Sequence, residues 1–454
     1  MANTEENKVA NVGEKSKVLG FWDCMGFCVG QIIGSGIMVL TGIVIGLTGH
    51  GVVYCFILAA VLCIITYIPW MLLGSSIPEN GAGYAYTRRL IGERLGFIYV
   101  AMFVITQVLI STYAIGFGSY FTAIFPIFNA KAVAIAVILV TLGINLVGLK
   151  TSSIVQMVMV VILMASLALF IVFGLPKVTW AELSLARANI APNGARNFLM
   201  GIALLSFATG GARFIAENGS EIRNPGRNIP LSMIVSTVVV ALFYTLIGCV
   251  ASGVLPIEVV AFENLTHVAK EIFPPWLFIV FVCGGAWFAL LTTLNGTYSW
   301  VTRGLQASAK QGWLPKIFIK EGKGGSPIIL LCIFGLVGII PIITNMSISG
   351  IANMGVGLDY LCEFIVLIAC FRLPKKFAKE YSNAAFTIKS MPLFYTLLVI
   401  AGILMLGVAY VDLSDLTLTN YIVIAAYIVV VVVFMQFRYK HVKAQKELDG
   451  NIDS

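Results

Sequence analysis

Apolar runs of about 20 residues, parted by short polar segments, recur along nearly the whole of this 454-residue chain. A helix needs about that many apolar residues to cross the hydrocarbon core of a bilayer. Soluble domains carry about a quarter charged residues, whereas this chain is 59% hydrophobic and 11% charged. The fold class is therefore an all-α polytopic membrane protein. Twelve transmembrane spans are expected, over 20–47, 52–74, 97–124, 132–148, 151–175, 198–219, 230–254, 276–306, 326–345, 349–371, 391–411 and 418–437. The boundary between spans four and five is the weakest, since "NLVGLKTSS" (145–153) holds only one charge.

Placing the N-terminus inside puts 22 Lys and Arg in cytoplasmic segments and 5 outside, the asymmetry that membrane insertion favours. Both termini are then cytoplasmic, and the net charge of +8 needs no nucleic-acid partner. The polar start has no cleavable signal pattern, so the first span is expected to remain. Nine cysteines fall in or beside apolar segments, without metal-ligand spacing, and read as small packing residues. His50, His267 and His441 fall in loops or the tail, which leaves no intramembrane imidazole relay. No nucleotide-binding loop or nucleophile–base pair is present, so an enzyme is not expected, and neither a cofactor nor a metal is called for.

The first span contains "GQIIGSGIMVL" (30–40), with Gly34, Ser35 and Gly36 at its midpoint. Gly26, Gly30 and Gly34 also form a small-residue stripe, so packing alone could account for them. The sixth span repeats the interruption in "SFATGGARF" (206–214), at Gly210 and Gly211. Glycine-broken helices at matching positions of two five-helix halves point to an inverted-repeat transporter site. Unwinding frees N–H groups, which favour an anion, and C=O groups, which favour a cation. A zwitterionic amino acid offers one of each.

Four motifs carry a family likeness: "IIGSGIM" (32–38), "PENGAGYAY" (78–86), "EIRNPGRNIP" (221–230) and "LNGTYSWVTRGLQASAKQGWLPKIF" (294–318). Through them the chain resembles the amino acid–polyamine–organocation superfamily of permeases, whose fold is similar to that of the leucine transporter. The likeness covers spans one to ten; eleven and twelve match only as generic helices. It implies a cytoplasmic tail (1–18), a first repeat (19–175), a second, inverted repeat (197–372), two appended helices (391–437) and a C-terminal tail (438–454). Helices one and six would be unwound at the midplane. The substrate carboxylate would then meet N–H groups around Ile33, Gly34, Ser35, Gly36 and Ile37. The ammonium would meet carbonyls around Phe207, Ala208, Thr209 and Gly210, with Phe207 as an aromatic gate. Thr297 stands where relatives that bind cationic substrates often have an aromatic, and Arg213 where they have a carboxylate. Both departures argue against arginine, lysine or polyamines.

Ionisable groups at bilayer depth are costly and so mark function. Lys150 reads by position as a snorkelling loop lysine. The resemblance instead implies an ammonium behind the break of helix one, standing in for the sodium ion of sodium-coupled cousins. Sodium coupling is then not expected, although Thr292 and Thr293 keep it open. Arg213 and Glu217, and Asp359 and Glu363, are each four apart on one helical face. They suggest an ion-pair cluster gating the inward path, a static network, or an Arg213 site for acidic side chains. Glu79 reads as structural, with a possible part in the inner gate.

The leading expectation is a sodium-independent amino acid exchanger or proton symporter in a cell membrane, for a small or medium neutral L-amino acid. The alternatives are an acidic amino acid carrier using Arg213 and a non-transporting sensor, for which the short tails leave no signalling domain. "FPIFNAKA" (125–132) has no cysteine for a disulfide-linked heavy chain, which fits a bacterial source. The partners are the amino acid and the lipid bilayer, and the protein is a monomer or homodimer.

Overall fold

The computed structural model describes residues 17–34, 36–183, 190–322, 325–346, 348–414 and 416–452. Ser35 and the tail through Ser16 fall outside that set, as do Arg187 and Lys323. The regular structure of the described residues is helical, with two isolated backbone bridges, Leu19 to Ile222 and Asn80 to Asn218.

Eleven helices among the described residues are long and apolar enough to cross a membrane. The expected ninth span, Ile328–Ile343, is apolar but only 16 residues long. At 1.5 Å per residue that makes about 24 Å, short of the roughly 30 Å hydrocarbon core. Pro327 immediately precedes it and Pro341 lies inside its last turn. Outward-facing side chains such as Val161, Leu242, Ile403 and Val430 are exposed. Such a belt suits acyl chains and would be a large liability in water.

The uncertain boundary between spans four and five is a true break. One helix, Ala130–Val147, ends and the next, Leu149–Gly174, begins across Gly148, whose φ is +136°. Nearby, the Asn145 side-chain amide donates to the Asn295 side-chain oxygen at 2.9 Å, and the Asn295 amide donates to Gln156 Oε1 at 2.9 Å. This buried ladder ties spans four, five and eight together.

The first span is two pieces. Phe21–Ile32 is α-helical, Ile33 is extended at ψ 94°, and a wide π-turn over Gly36–Leu40 leads into the helix Thr41–Thr48. The sixth is interrupted likewise. Gly194–Thr209 stops at an extended Gly210, Gly211 adopts φ +120°, and the chain continues as a 3₁₀ turn over Ala212–Glu217. The two interruptions press on each other. A Cβ on Gly36 would meet the Ala208 backbone, and one on Gly211 would lie 2.8 Å from the Gln31 carbonyl oxygen.

Gly211 thus combines a left-handed backbone with contact against the first span. Gly211→Ala should destabilise the protein by roughly 1–2 kcal/mol from backbone strain alone, more once the Gln31 contact is forced apart. A lowered thermal midpoint in detergent checks this; an unchanged midpoint would mean that the backbone here is not held as described.

Candidate functional site

The two interruptions open onto one chamber. Gly34 and Gly36 line it from the first span, and Phe207, Ala208 and Gly210 from the sixth. Thr297 and Trp300 approach from the eighth, while Tyr67, Gln107 and Tyr113 close the other side. Its free volume is about 60 Å³. At roughly 10–15 Å³ per water, that is room for a few heavy atoms.

Neighbouring side chains satisfy several backbone groups at the breaks. Tyr244 donates its hydroxyl to the Ile32 carbonyl at 3.2 Å, and the Gly211 N–H donates to the Tyr67 hydroxyl at 2.9 Å. The Thr293 hydroxyl lies 3.1 Å from the Gly30 carbonyl oxygen, 3.2 Å from that of Ile33 and 3.0 Å from that of Ala289. Thr292 lies 3.0 Å from the Ala289 carbonyl oxygen and 3.5 Å from that of Ile33. Two hydroxyl hydrogens therefore face three carbonyls, an acceptor-rich cluster behind the break.

A charged triad forms one wall. Arg213 is buried and pairs with Asp359 through Nη2 and with Glu363 through Nε, the latter at 2.5 Å. Its guanidinium lies 4.0 Å from the centre of the Phe214 ring, which in turn stacks on Trp300 with centroids 3.8 Å apart. A cation over stacked aromatic faces gains further attraction. The stack floors the chamber.

The expected site residues divide clearly. Gly34, Gly36, Phe207, Ala208, Gly210, Thr297, Arg213, Asp359 and Glu363 all reach the chamber. The side chains of Ile33, Ile37 and Thr209 are buried in packing instead, and the Thr209 hydroxyl turns back to the Leu205 carbonyl at 2.8 Å. Ser35 is outside the described residues.

Three expectations need correction. Lys150 is exposed and lines a separate vestibule with Glu221, Arg303 and Lys310. It sits in the first turn after Gly148, at the surface end of its helix, and so does not reach the break; Thr292 and Thr293 occupy that place. Glu217 does not join the ion-pair cluster. Its carboxylate accepts the Gly83 N–H at 3.1 Å and so anchors the first turn of the helix Ala82–Leu90. Finally, the argument that Arg213 repels cationic side chains assumed a free charge, whereas two carboxylates outweigh it.

Sequence reasoning also missed Gln31, whose amide donates to the Thr297 hydroxyl at 3.2 Å and whose oxygen accepts from Trp300 Nε1 at 3.3 Å. A lone glutamine inside an apolar run was the available signal. Tyr67, Gln107 and Tyr113 gave none, because polar aromatics and amides near helix middles are common in packed cores.

Toward the Lys- and Arg-rich end, polar contacts join segments distant in sequence. Leu19 and Glu221–Arg223 exchange backbone hydrogen bonds of 3.0 and 2.8 Å, and Arg303 pairs with Glu221 at 3.0 Å. Asn80 donates to Glu221 at 3.0 Å, and Arg89 pairs with Glu79. Among the described residues no group of three or more His, Cys, Asp and Glu is placed to hold a metal, and the nine cysteines are free thiols.

The sequence profile of the family described as "Amino acid permease" matches residues 19–442. The branched-chain amino acid permease BcaP of Bacillus subtilis is 28% identical over 275 residues, covering 54% of this chain and 57% of that protein. The methylthioribose transporter of the same organism is 26% identical over 390 residues, 80% of this chain and 82% of its own length. The serine/threonine exchanger SteT, also of Bacillus subtilis, is 26% identical over 275 residues, 59% and 61%.

Two substitutions separate these roles. Arg213→Met leaves two carboxylates buried without their cation and should cost about 3–5 kcal/mol, read as a large loss of folded protein or thermal midpoint. Lys150→Ala changes an exposed side chain and should stay within about 0.5 kcal/mol of the parent, with substrate affinity unmoved. A loss of binding in Lys150→Ala would restore that lysine to the site.

Proposed function

Because this chain belongs to the amino acid permease family, we propose that it carries a small neutral amino acid across a cell membrane by alternating access. The observation that carries the reading is the facing pair of helix breaks on one chamber. The substrate carboxylate would sit at the N–H groups from Gly34 to Ile37, Ser35 included. The ammonium would sit at the carbonyls of Phe207, Ala208 and Gly210. Phe207, half-buried at the chamber edge, would close over the substrate, and Thr297 would face its side chain. The fold proposed is the five-plus-five inverted repeat of 19–175 and 197–372, with 391–437 appended and both termini cytoplasmic.

Size and charge support a small neutral substrate. A chamber of about 60 Å³ has room for few heavy atoms, which favours a short side chain over a long one. An acidic side chain would face a triad whose carboxylates outnumber its cation, which weighs against the acidic alternative. Exchange or proton symport without sodium is the coupling we put forward, although Lys150 no longer supports it.

One observation favours a second reading. The Gly30, Ile33 and Ala289 carbonyls with the Thr292 and Thr293 hydroxyls make an all-oxygen cluster. Carbonyls freed at an unwound helix coordinate cations in transporters of this architecture, so sodium could bind there.

Counterflow in proteoliposomes distinguishes these readings. Vesicles loaded with alanine, serine, leucine, glutamate or lysine should accumulate labelled small neutral amino acid fastest when the internal one is small and neutral. Uptake should be the same in sodium and in choline. Strict dependence on sodium would select the oxygen cluster, and no flux for any substrate would reject the transporter reading.

A further inference from the structure

The Arg213–Asp359–Glu363 triad has an unbalanced charge inside the membrane. One guanidinium faces two carboxylates, and each carboxylate spends one oxygen on it. The other two oxygens, Asp359 Oδ1 and Glu363 Oε2, are buried without a hydrogen-bond partner. Only 5% of the Glu363 side chain is exposed, against 16% for Asp359. Both line the chamber. A carboxylate removed from water and left with a bare oxygen is strongly disfavoured, and like charges sharing one counter-ion raise the cost further.

The surrounding groups do not correct the imbalance. On the second span, Cys63 and Tyr67 face Glu363, and on the third, Tyr99 and Tyr113 face Asp359. On the tenth, Tyr360 and Cys362 lie beside the carboxylates, and Asp412 of the eleventh reaches Tyr360. On the sixth, Glu217 is a further carboxyl group, held by the Gly83 N–H, and it supplies no positive charge. Arg213 is the one cation among these neighbours, so the missing positive charge must come from outside the cluster.

We propose that the triad is the proton-binding site of the transport cycle, with Glu363 as the carrier. This rests on the transporter reading of the same chamber and names its coupling ion. A proton from water entering the open chamber adds to Glu363 Oε2, forming an O–H bond and neutralising the cluster while Arg213 stays paired with Asp359. After the chamber opens to the other side, that O–H bond breaks and the proton leaves to water there, where Arg213 again holds both carboxylates. Glu363 takes the proton rather than Asp359 because it is the more deeply buried, so its charge loses more hydration. Substrate and proton share one chamber, so opening the path for one opens it for the other, which couples their movement.

The test uses wild type, Glu363→Gln and Asp359→Asn in proteoliposomes, with alanine as substrate. One proton per substrate permits about tenfold accumulation per pH unit of imposed gradient. Wild type should show that accumulation in sodium-free buffer, with alanine-driven proton movement read by an internal pH dye. Glu363→Gln is a permanent copy of the neutral form: gradient-driven accumulation and the dye signal should vanish, and any remaining counterflow should not vary with pH. Asp359→Asn should keep a gradient response. Net alanine uptake in wild type without any proton movement would overturn the proposal while leaving transport intact. A gradient response in Glu363→Gln equal to wild type would also overturn it. If Glu363→Gln does not fold, the wild-type dye signal decides alone. Absence of counterflow under every condition would instead sink the underlying transporter reading.

Discussion

A peptide group inside hydrocarbon must find a hydrogen-bond partner, and failure costs several kcal/mol. That rule makes most of this chain continuous helix and makes its two departures informative. After Ile33, and again at Gly210–Gly211, the regular α-helix stops. Protein groups satisfy some of the freed carbonyls and N–H groups, through Tyr244, Tyr67, Thr292 and Thr293. Residues of both breaks line one chamber. Close contact of Gly36 with Ala208, and of Gly211 with Gln31, holds the two breaks against each other.

Around this backbone core the side chains divide the remaining work. The Asn145–Asn295–Gln156 ladder and the Gln31–Thr297 bond fix the eighth span against the first, fourth and fifth. The Arg213 triad and the Phe214–Trp300 stack close the chamber floor. Beyond them, Leu19, Asn80, Glu221 and Arg303 tie together four segments distant in sequence. These contacts are polar and few, which suits a seal that must open and reform. Buried ion pairs give little net stability over apolar packing, so a triad kept at this depth points to a role other than holding the fold.

The helical architecture and the positions of both breaks were legible in the sequence, because apolar run length and paired glycines act through local physics. Nine of the expected site residues share the chamber, those of the two breaks because their glycines mark the interruption directly. Lys150 was misplaced because its role depended on where a helix starts. That helix starts after Gly148 and leaves Lys150 exposed in its first turn. Glu217 was misread because a shared helical face with Arg213 said nothing about the Ala82–Leu90 turn that comes to meet it. The sign of the Arg213 site was invisible too, since two acids on the tenth span became its partners only through the tertiary fold. The ninth span was counted as full length, whereas its helix begins only after Pro327 and has 16 residues.

The central claim is that bare peptide groups at two facing breaks grip both ends of a zwitterion. Competition of substrate analogues against labelled alanine in counterflow tests it most directly, using alanine, its methyl ester and propionate. Alanine should compete well, while the ester, without its carboxylate, and propionate, without its ammonium, should each be weaker by a hundredfold or more, on the order of 3 kcal/mol for a lost charged hydrogen-bonding group. An ester or a propionate that competes as strongly as alanine would contradict the account.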